Sequence, residues 1–390
     1  MAIMSDLPRD LLAEIFSRVP LTSLRAVRFT CKKWNDLSKD RSFIEKQIVE
    51  AKKKQLKAFE VIMMRNCRVY LTSVDLHSDV DPSFTPKGTL ISLNDDANPH
   101  QIDNVSRVFH CDGLLLCITK DLNSRLVVLN PYFGQTRWIK PRNSYHIKDN
   151  YALGYDEKKN HKILRLKDNY YAYSSHPRER ICEFELYSFE SNSWKVVLDV
   201  SPDWYIHSYH RGLSLKGNTY WYAIEKHGNV DFLICFDFTT ERFGPRLPLP
   251  FNATASPTYD DVVTLSSVGE EQLTVLFQSD HTLMMEIWVT SKVEPTEVLW
   301  NKLFLAVDMI AIGSNFQCVA DAGSFFIDQE KNVVVVFDRD MDATNTRGMA
   351  YIFGKNGHLK RVDLGEDADP WFYLLVCSYV PSSVQIRQLT

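Results

Sequence analysis

The sequence predicts an α+β multidomain chain: a small N-terminal helical domain over residues 1–50, then a large all-β, β-propeller-like domain over residues 56–390. Three observations carry that prediction. Apolar residues recur at helical spacing up to about residue 50 and at a period of two beyond it. Past that change, hairpin turns return about every 50–60 residues, the spacing of four-stranded propeller blades. The chain is also rich in rings, with 22 Phe, 17 Tyr and 8 Trp against only 15 Gly. Aromatic side chains suit pleated, half-buried surfaces, so this excess favours strands.

Ser5-Asp6-Leu7-Pro8 reads as a capped helix start, with a polar residue to accept orphan amides and Pro8 for the first turn. Leu11, Leu12, Ile15, Phe16 and Val19 follow at helical spacing, and Pro20 ends that helix. Ser23, Leu24, Val27 and Phe29 predict a second helix, Cys31, Trp34 and Leu37 a third, and Phe43, Ile44 and Ile48 a fourth. Leu11 and Leu12 are adjacent, as are Ile15 and Phe16. Neighbours on a helix point about 100° apart, so one narrow core cannot take both members of each pair. The surplus apolar surface is buried either against the following domain or against a partner.

In the body, paired runs separated by turns repeat. Arg125–Leu129 leads to Arg137–Ile139, Glu183–Tyr187 to Trp194–Leu198, Phe232–Phe236 to Phe243, and Met349–Phe353 to Leu359. Met285–Val289 leads to Leu299–Trp300 through a longer polar loop. Further hairpins precede most of these: Gly212–Gly217 into Thr219–Tyr222, Val262–Ser266 into Leu273–Phe277, and Gly323–Ile327 into Val333–Phe337. About four strands per unit, in a body of about 335 residues, gives six blades. A large distorted sandwich is the alternative.

Charge and motifs narrow the chemistry. The balance of 45 basic to 49 acidic residues gives −4, which excludes a broad basic surface for nucleic acid. The longest strongly apolar runs, Leu114–Ile118 and Val333–Phe337, are far short of the ~20 residues of a membrane helix, and no secretory leader is apparent. Eight Cys stand without a C-x-x-C pair and read as reduced thiols. No nucleotide loop, zinc-protease or nucleophile-elbow motif occurs. Asp338-x-Asp340-x-Asp342 opens like a calcium loop but has Ala343 in place of Gly and Met349 in place of Glu, so it reads as a solvated acidic turn. His207-x-x-His210 lacks further ligands and reads as strand end or loop surface. Cys111 and Cys117 are expected on one β segment as buried thiols. Tyr170, Tyr171, Tyr173, Trp204 and Tyr205 are expected in loops, and Lys52–Lys54 on a solvated helix face. No cofactor, metal or catalytic residue is expected.

The head resembles the F-box motif in Leu7-Pro8-x-x-Leu11-x-x-Glu14-Ile15-x-x-Arg18-x-Pro20-x-x-Ser23-Leu24-x-x-x-Arg28-x-x-Cys31-Lys32-x-Trp34-x-x-Leu37, followed by Phe43-Ile44. Val27 and Thr30 are small departures. The body resembles the plant F-box-associated domain in Cys111-Asp112-Gly113-Leu114-Leu115-Leu116, Leu129-Asn130-Pro131, Gly154-Tyr155-Asp156, Tyr187-Ser188, Ser193-Trp194 and Tyr379-Val380-Pro381-Ser382-Ser383-Val384. The kelch double-Gly signature is absent. The resemblance implies that the head docks on a Skp-type adaptor and, through it, a cullin, with Leu7, Pro8, Leu11, Ile15, Pro20, Leu24 and Trp34 carrying docking or local core. It implies a non-catalytic receptor subunit whose β domain binds an unknown target protein for ubiquitination. A propeller enzyme with its site on one face, or a scaffold that sends no target to degradation, are the alternatives. Nothing in the sequence decides between cytoplasm and nucleus.

Overall fold

The computed structural model describes residues 7–17, 32–38, 40, 42–43, 45–46, 49, 59–76, 82–90, 105–120, 124–133, 135–145, 149–168, 182–198, 202–226, 230–251, 261–311, 318, 323–340, 347–354, 359–366 and 374–386. Two compact units emerge: residues 1–121, 125–140 and 378–390 form the first, and residues 122–124 and 141–377 the second.

In the first unit, helix α1 spans Arg9–Ser17 and α2 spans Lys32–Ser38. The Pro8 carbonyl accepts from the Leu12 amide at 3.1 Å, so the proline ends just ahead of α1, where its missing N–H costs nothing. Leu12 and Phe16, one turn apart, pack with Leu37 and Phe43 into a buried cluster. Trp34 meets Phe16 edge-on at 5.0 Å between centroids. Asp40 Oδ1 accepts from the Ser42 hydroxyl at 2.5 Å and the Phe43 amide at 3.1 Å, the geometry of an N-cap ahead of the helical backbone at residues 42–43. The expected second helix, with Pro20 and Leu24, and Lys52–Lys54, Tyr170, Tyr171 and Tyr173 lie outside the described residues.

The first sheet of this unit holds β1 (Phe59–Arg65), β2 (Arg68–Asp75) and β3 (Ser83–Thr89), paired in that order. The second is β4 (Val105–Cys111), β5 (Leu114–Thr119), β6 (Leu126–Asn130) and β7 (Gln135–Ile139), in sequence order. Residues 66–67 and 112–113 take positive φ in two-residue hairpins, the turns that match strand twist. Central strands β5 and β6 are buried at every position, which is why they read as unbroken apolar runs. Cys111 ends β4 while Cys117 lies on β5. The expected shared segment is therefore a hairpin, because Asp112-Gly113 turns the chain between them.

The C-terminal segment seats on this unit. The Tyr379 amide donates to Glu60 O at 2.9 Å. Fully buried Asn130 donates through Nδ2 to Ser382 O and Val384 O, while its Oδ1 accepts from the Tyr132 and Phe133 amides. Ile386 N donates to Gln135 Oε1 at 2.8 Å. A Cβ on Gly113 would lie 2.3 Å from Ser382 Cβ, so only glycine admits the tail here. Three separate family-like fragments, around Gly113, Asn130 and Ser382, are thus one assembly.

The second unit holds four sheets. In chain order they are β8 (Asn150–Tyr155), β9 (His161–Asp168), β10 (Cys182–Ser188) and β11 (Ser193–Leu198); β12 (Trp204–Tyr205), β13 (Leu213–Leu215), β14 (Asn218–Glu225), β15 (Asp231–Asp237) and β16 (Arg242–Phe243); β17 (Val262–Val268), β18 (Gln272–Gln278), β19 (Met284–Glu294) and β20 (Glu297–Asp308); and β21 (Ser324–Asp328), β22 (Val333–Arg339), β23 (Arg347–Gly354) and β24 (Leu359–Glu366). Together with the two sheets of the first unit, six sheets of blade type are present among the described residues. Trp138, Trp194, Phe243 and Trp300 all lie on the last strand of their sheets, at β7, β11, β16 and β20.

Several local expectations are corrected. The polar loop expected after Val289 is strand: β19 and β20 pair as far as Glu294 and Glu297. Val293 and Val298 stay buried while Lys292 and Glu297 pair outside, so the alternation runs through the polar residues. Trp204 and Tyr205 are a buried strand on β14, with Trp204 against Phe184 and Phe243. Asp338 is fully buried near the end of β22 rather than solvated in a turn. In the β8–β11 sheet, buried Arg165 bridges Asp149 and Glu185, and Lys167 reaches Glu183 and Glu185. This mutual pairing satisfies charges that burial alone would expel.

Candidate functional site

Helix α1 has two apolar faces. Leu12 and Phe16 fill the head's core. Pro8, Leu11 and Ile15 fall on another stripe at i, i+3 and i+7, with Pro8 exposed, Ile15 half-buried and Leu11 52 % exposed. Asp10 and Glu14, both exposed, flank that stripe. Of the other expected docking residues, Leu7 and Trp34 pack against the core cluster. Lys33 Nζ donates to Leu7 O at 3.1 Å and ties α2 to the approach of α1. The described residues of the set thus divide: Leu7 and Trp34 shape the head, and Pro8, Leu11 and Ile15 present apolar surface. Desolvating one large apolar side chain is worth about 1.5–3 kcal/mol, so such a stripe is a ready contact for a partner.

A second surface lies in the second unit, between the β12–β16 and β17–β20 sheets, and sequence reading missed it. Phe251 and Phe277 stack at 4.3 Å, half-buried against Tyr222, Val263 and Val275. Half-buried Trp288 donates through Nε1 to Glu286 at 3.0 Å, and Trp300 donates to Pro248 O at 2.8 Å. The Tyr222 hydroxyl donates to Asp231 Oδ2 at 2.5 Å, leaving Oδ1 buried without a hydrogen-bond partner among the described residues. Burial and, more weakly, the Asp261 charge push the Asp231 carboxyl up, against the Tyr222 hydrogen bond. The surface was illegible because its members come from seven separate stretches joined by sheet packing.

His207 and His210, expected at a strand end or on a loop surface, lie in the loop just past β12, half-buried in a ring stack. His207 lies 3.8 Å from Tyr209, and His210 lies 4.6 Å from both Tyr209 and Tyr222. Burial pulls the His210 imidazole down to about 3, helped by His207, so it is neutral at pH 7. Among the described residues, no three His, Cys, Asp or Glu side chains are grouped to hold a metal ion, and no helix is long and apolar enough to cross a membrane.

Comparison with known proteins places these features in a family. The F-box domain profile matches residues 4–46, and that of the F-box associated beta propeller domain matches residues 60–386. F-box protein At2g17830 of Arabidopsis thaliana is 83 % identical, covering 100 % of both chains. F-box/kelch-repeat protein At3g16740 of the same plant is 55 % identical over 99 % of this chain and 100 % of its own. A solved oligogalacturonate lyase in complex with manganese covers 78 % of this chain and 72 % of its own at 11 % identity and a TM-score of 0.40, a likeness that bears on neither fold nor function. With a short N-terminal F-box ahead of a six-bladed all-β domain, the chain belongs to the plant F-box proteins that carry an F-box associated β-propeller.

Proposed function

We propose that this protein is the target-recognition subunit of a Skp–cullin–F-box ubiquitin ligase, with no catalysis of its own. The observation that carries this reading is the division of α1. Its core needs are met by Leu12 and Phe16, yet Leu11 remains 52 % exposed beside Pro8 and Ile15. An adaptor covering that stripe fixes the chain on the ligase scaffold. The propeller then holds a target beside the loaded conjugating enzyme, and catalysis arises from raised effective concentration. The domain limits proposed are residues 1–50 for docking and 56–390 for the target. Reconstitution of adaptor, cullin and this chain tests the reading: a captured target should receive ubiquitin only when the full chain is present. Equal transfer without it contradicts the proposal.

A further inference from the structure

We infer that the partly exposed aromatic surface between the β12–β16 and β17–β20 sheets is the target-docking surface, and that it takes a lysine- or arginine-bearing segment of the target. The inference deepens the receptor reading and rests on it. Two properties coincide on this surface. Its walls are rings: Phe251 stacked on Phe277, with Trp288 beside them, all partly exposed over a small buried base. Its polar groups are acidic: Asp231 accepts from the Tyr222 hydroxyl, and Glu286 accepts from Trp288 Nε1. The nearby cation Arg246 is already engaged by Glu225 and Asp203, so it does not neutralise these groups. Aromatic walls take the long aliphatic stem of a basic side chain and attract its charged head. A cationic head complements the Asp231 and Glu286 carboxylates, whereas an acidic target segment meets repulsion. A purely apolar segment gains nothing from them.

The test probes an array of randomised peptides with the full chain bound to its adaptor. Asp231→Asn and Glu286→Gln are run in parallel; each keeps an acceptor for its ring partner and removes only the charge. The expected result is selection of Lys or Arg at one position next to Leu or Phe, weakened about tenfold by either substitution. Phe251→Ala should weaken all selected peptides regardless of charge. Absence of basic selection, or basic selection unchanged by both neutral variants, overturns the inference. Adaptor co-purification is read on the same preparations. Its loss with basic selection intact defeats the receptor reading and leaves the docking surface standing.

Discussion

Gly113 shows how one residue fixes a larger assembly. It has φ +71°, and the nearest atoms to an added Cβ are Ser382 Cβ at 2.3 Å and Ser382 N at 2.7 Å, so the backbone of the tail would have to move. Gly269, at φ +58°, has nothing within 4 Å. Alanine at Gly269 should therefore cost only left-handed backbone strain, about 1 kcal/mol. Alanine at Gly113 adds the clash and the loss of hydrogen bonds to Asn130, and should cost about 3 kcal/mol or more. Urea denaturation of the two variants checks this; equal losses would contradict it. The glycine was visible in the sequence as part of Cys111-Asp112-Gly113, but its reason was not, because Ser382 lies far along the chain.

At the scale of elements, the sequence was most legible where periodicity meets a single neighbour. The adjacent pairs Leu11-Leu12 and Ile15-Phe16 demanded two apolar faces of α1, and the helix has them. Legibility failed where tertiary pairing overrides local polarity. Ser291, Lys292 and Glu294 look like loop, yet β19 runs through them because β20 supplies the ladder. Trp204-Tyr205 looks like loop because two residues carry no period, yet β14 makes them strand. The C-terminal segment 379–386 is not a strand by pattern, but Tyr379 and Ile386 are buried and its backbone is held by Glu60, Asn130 and Gln135. Removing residues 379–390 should lower the unfolding midpoint, and a synthetic peptide of that segment should recover part of the loss. An unchanged midpoint would contradict the role assigned to the tail.

For the whole molecule, two half-buried histidines contribute to the response to acid. Burial pulls His110 down to about 4, against the opposing Asp112 charge, and His210 down to about 3. Their folded forms are neutral, and His110 Nε2 accepts from the Gly113 amide at 3.2 Å. In the unfolded chain both titrate near 6.5, so below that pH the unfolded state binds more protons. Stability should be flat above pH 7 and fall as pH drops from about 6.5 towards 4, by up to about 1.4 kcal/mol per pH unit for each histidine. Denaturation curves across that range check this, and His210→Phe should reduce the slope.

The central claim is that α1 divides its apolar residues between the head's core and a docking stripe. Calorimetric titration of the full chain with a Skp-type adaptor tests it most directly. Leu11→Asp with Ile15→Asp should abolish binding while the thermal unfolding midpoint stays near that of the parent, because a charge is placed in the interface and not in the core. Adaptor binding that survives both substitutions would contradict the account.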